Sequence, residues 1–573
     1  MVQLSEKYFN IAGVCNPLKH YMIPAVPRLP DVREMIDSSR YFILHAPRQS
    51  GKTTCLAALI KKINTEGKYY AAYCSLAPLR NASDEKTAMS KVVNQINAEL
   101  RSSEVDLFRD LAYTFGDRPY MSDPDTKVRM LLNDLCKYLD RELIVFFDEA
   151  DCLHEDPLIT FLTQIREGYL RRYDSKHSVF PRSMALVGMR DMRDYLSKVR
   201  RDDESKGPEG SPFNVTNIDS LTLADFTPEE IKSLYGQHTE ETGQVFETDA
   251  VERVWFWTEG QPWLVNAIAN DIVVRRFRND FSRRVTGSEI DLAVHDLILR
   301  NPSHFDSLMN RLRESRVRRV IDPVIIGSDY FPEEVSGDDT KYVVDLGLLK
   351  TDPDNCESYR PSNPIYGELI LRYLTSNLQK KIPQDLKNKW MDGTRLDMDG
   401  LLRAFQVYWR ENSEVKTKTK VNDLARLIND IVGKALENHD IINDTLATKI
   451  VYDLKAKITD FSSEAYAHLV LFAFLQRVLN GGADFIQREY ALGLTKSDIC
   501  VSYKDIRYPL ELKIKGVMSR DESLVQLLGY MDRCGSQVGW LVIFDRDSSK
   551  TWEERLFWET VDREGKTVHL VGC

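Results

Sequence analysis

Continuous apolar runs, separated by more polar stretches, mark the first part of the chain. One opens residues 41–54, two cover residues 69–75 and 183–189, and a fourth opens residues 143–151, which end in acids. A strand that is covered on both faces has such a composition, whereas a half-exposed strand alternates apolar and polar residues. Residues 55–63, after the first run, have helical spacing. The pattern predicts an α/β fold in which these runs are strands of one parallel sheet.

Helical periodicity replaces the strand pattern from about residue 226 onward. Thr227 and Glu230 have the spacing of a capping box, with a proline in the first turn. Residues 250–257 and 263–277 then repeat apolar positions at helical period. A helical domain is therefore predicted for residues 226–300.

Residues 301–376 have the order of two helices, short strands and a final helix, which is similar to a winged helix. Such a module can enter DNA, and a cluster of arginines supplies a candidate basic surface. A solvated helix face explains the same charges equally well. The arginines are Arg311, Arg313, Arg316, Arg318 and Arg319.

A polar stretch at residues 377–400 has the composition of a linker, and a second module follows it. In that module a largely helical part precedes a set of strands. The predicted elements are a helical segment at 401–458, a helix from about 463, strands at 484–490, 497–502 and 507–514, a helix around Gln526 and a strand at 538–544.

Length, charge and cysteine content restrict the number of domains, the class of protein and the cellular compartment. The length of 573 residues allows about three or four domains. A net charge of -10 argues against a protein that coats nucleic acid, although a local basic groove is compatible with it. Nine cysteines without CxxC spacing indicate a reducing compartment and no structural zinc. The N-terminus lacks the features of a signal peptide and the apolar runs are too short to cross a bilayer, so we expect a cytoplasmic protein without membrane contact.

A loop that ends in Gly-Lys-Thr joins the first predicted strand to the first predicted helix. Backbone N–H groups of such a loop and the helix N-terminus form an anion site. Lys52 is then placed to reach the β- and γ-phosphates of ATP, and the Thr53 hydroxyl to bind Mg²⁺. Ala46 stands where this pattern usually has glycine. The predicted nucleotide-binding residues are Ala46, Pro47, Arg48, Gln49, Ser50, Gly51, Lys52, Thr53 and Thr54.

Two adjacent acids close the apolar run that begins at Leu143. Asp148 is predicted to hold Mg²⁺ through water, and Glu149 to polarise the water that attacks the γ-phosphate. An ordinary strand with solvated acids at its end is the alternative for this run taken alone. After a phosphate-binding loop, the order of strand, acid and acid favours the ATP site.

Arginines follow the strand predicted at residues 183–189. Because ligands bind at the carboxyl ends of parallel strands, Arg190 is predicted to lie beside the γ-phosphate as a sensor. Arg193 or Arg166 is an alternative, as a finger that stabilises charge. A surface arginine in an ion pair explains each of them equally well.

The stretches HAPRQSGKTT, DEAD with LITFLTQIREGY, VGMRDMRDY, SPFNV and TEGQPWLVNAIA resemble a group of prokaryotic AAA+-like ATPases, close to the archaeal-type and STAND branches. The resemblance covers residues 9–374. It implies a P-loop NTPase sheet with a helical lid and a winged helix, and we expect a homo-oligomer formed through the ATPase domain. The predicted domains are 1–225 for the core, 226–300 for the lid, 301–376 for the winged helix, 377–400 for a linker and 401–573 for the second module.

The second module resembles the PD-(D/E)XK nuclease fold. Asp498 corresponds to the motif acid, Glu511 and Lys513 to the ExK, and Gln526 to a residue of the following helix. Two carboxylates on adjacent strands can converge on Mg²⁺ while a lysine positions or activates water. The resemblance implies catalysis by Asp498, Glu511, Lys513 and Gln526, with Glu464 as a further metal ligand.

Two readings of this module stay open. A degenerate nuclease fold that only binds nucleic acid or a partner has the same elements, and Glu464 is equally an acid favoured at a helix start. Lys496 and Ser497 precede the motif acid where related sequences more often carry Gly-Arg, which puts the substrate preference in doubt.

The sequence predicts an ATPase that controls a metal-dependent DNA nuclease, and by analogy one that acts against foreign DNA. The alternative is a nucleotide-controlled switch or assembly factor.

Overall fold

The protein is described from a computed structural model, and its residues fall into two compact units. Met1–Arg300 with Gly337–Leu349 form the first unit, and Asn301–Ser336 with Lys350–Cys573 form the second. The domain boundaries expected from the sequence stay predictions. The described residues are 6–29, 31–80, 82, 84–116, 123–153, 155–172, 179–189, 219–326, 337–353, 355, 358–379, 390, 395–412, 467–475, 477, 486–487, 498–503, 506–515, 519–545, 547 and 549–573.

A five-stranded parallel sheet forms the centre of the first unit, in the order β2-β3-β4-β1-β5. The α/β class and the parallel sheet predicted from the apolar runs are thereby confirmed. Every residue of β3 and β4 is buried, as their composition requires. The strands are β1 (Tyr41–His45), β2 (Tyr70–Ser75), β3 (Leu143–Asp148), β4 (Ser183–Gly188) and β5 (Asp219–Thr222).

Helices cover both faces of this sheet. Val145 and Phe147 of β3 join the core on one side, and Ile144 and Phe146 join the core on the other, because successive strand residues point to opposite faces. The helix Lys52–Glu66 contributes to the second of these cores. The helices of the region are Val32–Asp37, Lys52–Glu66, Glu85–Arg101, Asp106–Gly116, Lys127–Tyr138 and Glu155–Arg171, with short 3-10 turns at Val26–Arg28, Ala77–Leu79 and Ala150–Cys152.

The helical region after β5 begins with the capping box expected at Thr227. Thr227 Oγ1 accepts from the Glu230 amide at 3.2 Å, and the Glu230 carboxylate accepts from the Thr227 amide at 2.9 Å. The single helix expected at 263–277 is instead two parts, because the α-helix gives way to a π-helical turn. The elements are Pro228–Thr242, Thr248–Thr258, Pro262–Asn270, the π-helical Asp271–Arg276, and Gly287–Arg300.

Short helices and two short strands occupy the stretch for which a winged helix was predicted. β6 (Leu349–Thr351) and β7 (Tyr359–Pro361) pair as a two-stranded sheet. The helices are Ser303–Met309, Ser315–Ile326, Gly337–Asp345 and Pro364–Gln379, with a 3-10 turn at Asn310–Arg313.

A separate mixed sheet of six strands forms the C-terminal part of the second unit, in the order β12-β13-β11-β10-β9-β8. The helix Arg520–Cys534 packs on one face of it, and Phe405 contacts Phe474 and Phe544 on the other. The helices are Met398–Asn412, Arg520–Cys534 and Trp552–Arg555, and residues 467–475 are helical. The strands are β8 (Ile486–Gln487), β9 (Asp498–Tyr503), β10 (Ile506–Ile514), β11 (Val538–Phe544), β12 (Trp558–Arg563) and β13 (Lys566–Gly572).

The hairpin of β12 and β13 was not predicted from the sequence. Only two residues, Glu564 and Gly565, join its strands, and both have positive φ, of 54° and 74°. A two-residue turn with positive φ at both positions is typical of a β-hairpin. The Glu-Gly pair between alternating residues was therefore the available signal.

Candidate functional sites

The loop between β1 and the helix Lys52–Glu66 curls around the side chain of Lys52. Gly51, which caps this helix, has φ of 91°, and Gln49 has φ of 61°. Lys52 Nζ donates to the carbonyl oxygens of Ala46 at 2.6 Å and Pro47 at 2.8 Å. The ammonium group is thus held at the mouth of the loop, where phosphate oxygens could replace these carbonyls.

Thr53 and Asp148, which the sequence predicted to share an ion, are in contact. Thr53 Oγ1 donates to Asp148 Oδ2 at 3.0 Å, and Asp148 is only 2% exposed. The contact joins the first turn of a helix to the end of β3 across 95 residues of sequence. It forms because only β4 separates β3 from β1, the strand that precedes the loop and the helix of Thr53.

Glu149 follows Asp148 in a left-handed backbone conformation, with φ of 55°. A non-glycine residue in this region costs about 1 to 3 kcal/mol and is found at sites where a side chain must be placed. Ser75 Oγ, at the end of β2, donates to Glu149 Oε2 at 3.4 Å. The predicted base is therefore close to the predicted Mg²⁺ carboxylate and is oriented by a neighbouring strand.

Burial alters the acid–base properties of this site. It lowers the pKa of Lys52 to about 8, although the charges of Asp148 and Asp151 oppose the effect. Burial also raises the pKa of Tyr73, whose hydroxyl donates to Asp148 Oδ2 at 3.0 Å, and the charge of Asp148 adds to that increase. Tyr73 therefore remains a donor over the physiological pH range.

A cavity of about 130 Å³ adjoins the loop that encloses Lys52. Its walls come from the N-terminal segment, the loop and the helix Pro262–Asn270. Trp263 Nε1, on that helix, donates to the carbonyl of Ile11 in the N-terminal segment at 3.0 Å. Cys15 N, also in the N-terminal segment, donates to Thr54 Oγ1 at 3.2 Å. A mainly apolar cavity with a few polar groups suits a nucleobase.

The residues of this site fit a nucleotide with Mg²⁺. Ser50 Oγ is buried and has no hydrogen-bond partner within the described part of the chain, as expected of a group that meets a ligand. No group of three or more His, Cys, Asp or Glu side chains gathers among the residues that the structure describes. Mg²⁺ at phosphate sites needs only one or two protein ligands, because phosphate and water supply the others.

The other residues predicted for the nucleotide site make no described contact with Lys52, Thr53 or Asp148. Arg48 Nε contacts Met189 Sδ at 3.3 Å, and the Gln49 carbonyl accepts from Gln261 at 3.5 Å. Arg166 lies in the helix Glu155–Arg171, with a buried Nε that has no hydrogen-bond partner in the ranges described. Arg190 and Arg193 lie outside the described residues.

In the second unit, Asp498 and Glu511 are directly opposite each other on the antiparallel strands β9 and β10. Glu511 is completely buried, and Lys513 Nζ lies 2.6 Å from its Oε1. Apart from this ion pair, neither oxygen of Glu511 has a hydrogen-bond partner among the described residues. A buried carboxylate with unused acceptor positions is costly unless a cation completes its shell, so the pair fits a divalent metal.

Gln526 lies on the helix that covers the same face of the sheet as Glu511. Its Oε1 is buried and has no partner in the described ranges. Leu541, which is opposite Glu511 in β11, belongs to the core under this helix. The side chain of Asp498 and all of Glu464 lie outside what the structure describes, so a complete ligand set stays a prediction.

Three arginines of the cluster at residues 311–319 pair with two nearby acids. Arg311 and Arg316 pair with Glu314 at 2.9 and 3.2 Å, and Arg318 pairs with Asp322 at 2.7 Å. Local pairing of this kind favours a solvated helix face.

Among the described helices, none has both the length and the apolar composition needed to cross a bilayer.

Several residues at these sites were missed by sequence reasoning. Tyr73 and Ser75 gave no signal, since their strand was recognised only by its apolar character. Trp263 lies in a stretch that carried the family resemblance and Ile11 lies within the range that it covers, but their contact joins positions 252 residues apart in the sequence.

No protein-family model matches this sequence, and neither does any curated protein. Solved structures resemble the chain over 60 to 63% of its length. A Walker-type ATPase of Pyrococcus abyssi is 14% identical, with a TM-score of 0.43, over 63% of this chain and 99% of its own. The ORC2 protein of Aeropyrum pernix, in ADPNP and ADP complexes, is 14% identical, with a TM-score of 0.34, over 61% and 93%. The Thermotoga maritima RuvB Holliday junction branch migration motor is 13% identical, with a TM-score of 0.31, over 60% and 92%.

Proposed function

We propose that the first unit binds ATP with Mg²⁺ and hydrolyses it. The observation that carries this proposal is the hydrogen bond from Thr53 to Asp148, beside a lysine enclosed by its own loop. These three groups come from two distant stretches of sequence and meet where strand ends and a helix N-terminus would receive a triphosphate.

Each residue has a role that follows from its position. Lys52 would exchange its two carbonyl partners for phosphate oxygens, and Thr53 and Asp148 would hold Mg²⁺, Asp148 through water. Bound Mg²⁺ neutralises charge on the phosphates. Glu149 would accept a hydrogen bond from the attacking water, and Ser75 would keep its carboxylate turned toward that water.

The test combines nucleotide binding with turnover. Lys52→Ala should lose most of its nucleotide affinity, because it removes a buried cation that contacts phosphate. Glu149→Gln should bind ATP as the wild type does and lose about 10²- to 10⁴-fold in turnover, because it removes only the group that orients water. Glu142→Gln, at the other end of β3, is the matched control. Equal hydrolysis by wild type and Glu149→Gln would contradict the assignment of the base.

For the second unit, we propose a metal-dependent nuclease that acts on DNA, with the PD-(D/E)XK arrangement. The opposed pair Asp498 and Glu511, and the unused acceptors of Glu511, support this proposal. Asp498 and Glu511, with Glu464, would hold Mg²⁺, which supplies a Lewis acid and an acidified water. Lys513 would orient that water, and Gln526 would contact the substrate.

Cleavage assays on the full chain test this proposal. Plasmid, linear and single-stranded DNA should be cut with Mg²⁺ or Mn²⁺, and Asp498→Ala, Glu511→Ala and Lys513→Ala should each abolish cutting. Glu553→Ala, an exposed carboxylate of the same unit, should leave the rate unchanged. Normal cutting by Asp498→Ala would exclude this site.

The two activities define the function that we propose: an ATPase, oligomeric through its ATPase domain, that controls a nuclease in defence against foreign DNA. The second candidate is a switch or assembly factor whose nuclease fold only binds. The ion pair between Lys513 and Glu511 supports this candidate, because such a pair can have a structural role in a fold that does not cleave DNA. DNA binding that survives Lys513→Ala, without cleavage by the wild type, would favour this candidate.

A further inference from the structure

The carboxylate of Asp148 accepts three hydrogen bonds from residues that the structure describes. Thr53 Oγ1 and the Tyr73 hydroxyl each donate to Oδ2 at 3.0 Å, and the Glu149 amide donates to Oδ1 at 2.9 Å. Each carboxylate oxygen has two acceptor positions. Oδ2 is therefore filled, and the open position of this nearly buried group is on Oδ1.

The proposed ATPase uses Thr53 and Glu149, but it assigns no role to Tyr73. Tyr73 lies opposite Phe146 in the register of β2 with β3, two residues before Asp148. Its ring packs against the core on one side of the sheet, while the hydroxyl extends to the strand end. A tyrosine has few rotatable bonds, so a ring fixed in this way holds its hydroxyl in one place.

Without this hydroxyl, the donors to Asp148 among the described residues would be Thr53 and the amide next to it in the chain. Thr53 lies at the start of a helix and is itself a predicted ligand of the ion. Tyr73 is thus the donor to Asp148 that comes from a neighbouring strand and has no other task at the site. Partners of this kind orient metal-binding carboxylates, and their loss typically lowers metal affinity by about 10- to 100-fold.

We propose that Tyr73 is a positioning residue for the Mg²⁺ site, and that it makes nucleotide binding responsive to Mg²⁺ by fixing the Asp148 carboxylate. The inference rests on the proposed ATP site. It concerns the ion alone, because Tyr73 has no contact with the loop that would hold the phosphates among the contacts described. ADP affinity without Mg²⁺ should therefore be independent of Tyr73.

The experiment measures binding of a fluorescent ADP to the full chain, first in EDTA and then over a Mg²⁺ titration. Tyr73→Phe should keep the wild-type affinity in EDTA and need about 10- to 100-fold more Mg²⁺ for half of the Mg²⁺-dependent gain. Tyr70→Phe is the matched control, because its hydroxyl bonds Asp140 at 3.0 Å at the other end of the same strand. It should leave both measurements unchanged.

A double-mutant cycle completes the test. In an Asp148→Asn background, Tyr73→Phe should have no further effect on the Mg²⁺ requirement, because its effect passes through that carboxylate. A wild-type Mg²⁺ requirement in Tyr73→Phe, or an equal shift in Tyr70→Phe, would overturn the inference while leaving the ATP site intact. A wild type that binds no ADP under any condition would overturn the ATP site and the inference together.

Discussion

At the scale of residues, hydrogen-bond donors offset the effect of burial on the pKa of a carboxyl group. Asp545, directly after β11, has a side chain that is 4% exposed and accepts from Lys515 and Lys550, each at 2.9 Å. Burial alone would raise the pKa of Asp545, but the hydrogen bonds from the two lysines outweigh it and lower the pKa to about 2. A carboxyl whose pKa is lower in the folded state than in the unfolded chain stabilises the fold when it is ionised.

Asp545→Asn should therefore destabilise the C-terminal unit by about 2 kcal/mol at pH 7. The contribution is complete above the unfolded pKa of about 4 and disappears as pH falls through about 2, so the difference from wild type should shrink over that range. Denaturation followed by tryptophan fluorescence at several pH values measures it. Asp547→Asn, an exposed neighbour, is the control, and an equal effect of both would contradict the assignment.

At the scale of elements, a segment from much later in the chain contacts the predicted phosphate-binding loop. The helix Gly337–Asp345 belongs to the first unit, and Asp345 lies 3.8 Å from His45, the last residue of β1. Gly347 then passes so close to Pro47 that a Cβ on it would lie 2.6 Å from the Pro47 Cβ. Gly347 also has φ of 77°, which a side chain resists.

Gly347→Ala should displace Pro47 and weaken nucleotide binding, with a stability cost of about 1 to 3 kcal/mol for the overpacked contact. Gly243→Ala is the matched control, because Gly243 has nearly the same φ of 79° and open space around it. Both variants carry the backbone strain, so the contact with Pro47 accounts for any difference between them. ADP affinity and thermal unfolding of both variants measure it; equal ADP affinities would show that the segment does not act on the loop.

At the scale of the whole molecule, the chain passes between the two units more than once. It leaves the first unit after Arg300, returns at Gly337 and leaves again after Leu349. The segment that returns is the one that contacts the predicted phosphate-binding loop. Both ends of this segment continue along the chain into the unit that carries Asp498 and Glu511.

We expect a nucleotide at the proposed Lys52 site to change the rate of the proposed DNA cleavage at Glu511. A coupling free energy of about 1 to 3 kcal/mol corresponds to a change of about five- to 150-fold. The measurement is the cleavage rate with no nucleotide, ADP, ATP and a non-hydrolysable ATP analogue, with Lys52→Ala as the control that should not respond. Identical rates in all conditions would show two independent activities on one chain.

Local patterns in the sequence were sufficient to predict several helices and strands and part of each candidate site. The strand β11 (Val538–Phe544) and the cap at Thr227 were predicted because composition and short-range hydrogen bonding decide them. The loop around Lys52 was predicted because its chemistry lies within nine consecutive residues. The two-residue turn of the last hairpin was also local, but its strands alternate apolar and polar residues over part of their length and gave no continuous apolar run.

Contacts between distant stretches were decided only by tertiary structure. The hydroxyl of Tyr73 reaches Asp148 because β2 pairs with β3, and Glu511 faces Asp498 because of the register of two strands. Gly347 meets Pro47 across 300 residues through packing that no local pattern specifies. Strand order, register and packing depend on the free energy of the whole fold, since each contact competes with many alternatives of the same composition. The sequence therefore identifies the reactive groups, and the fold decides which of them meet.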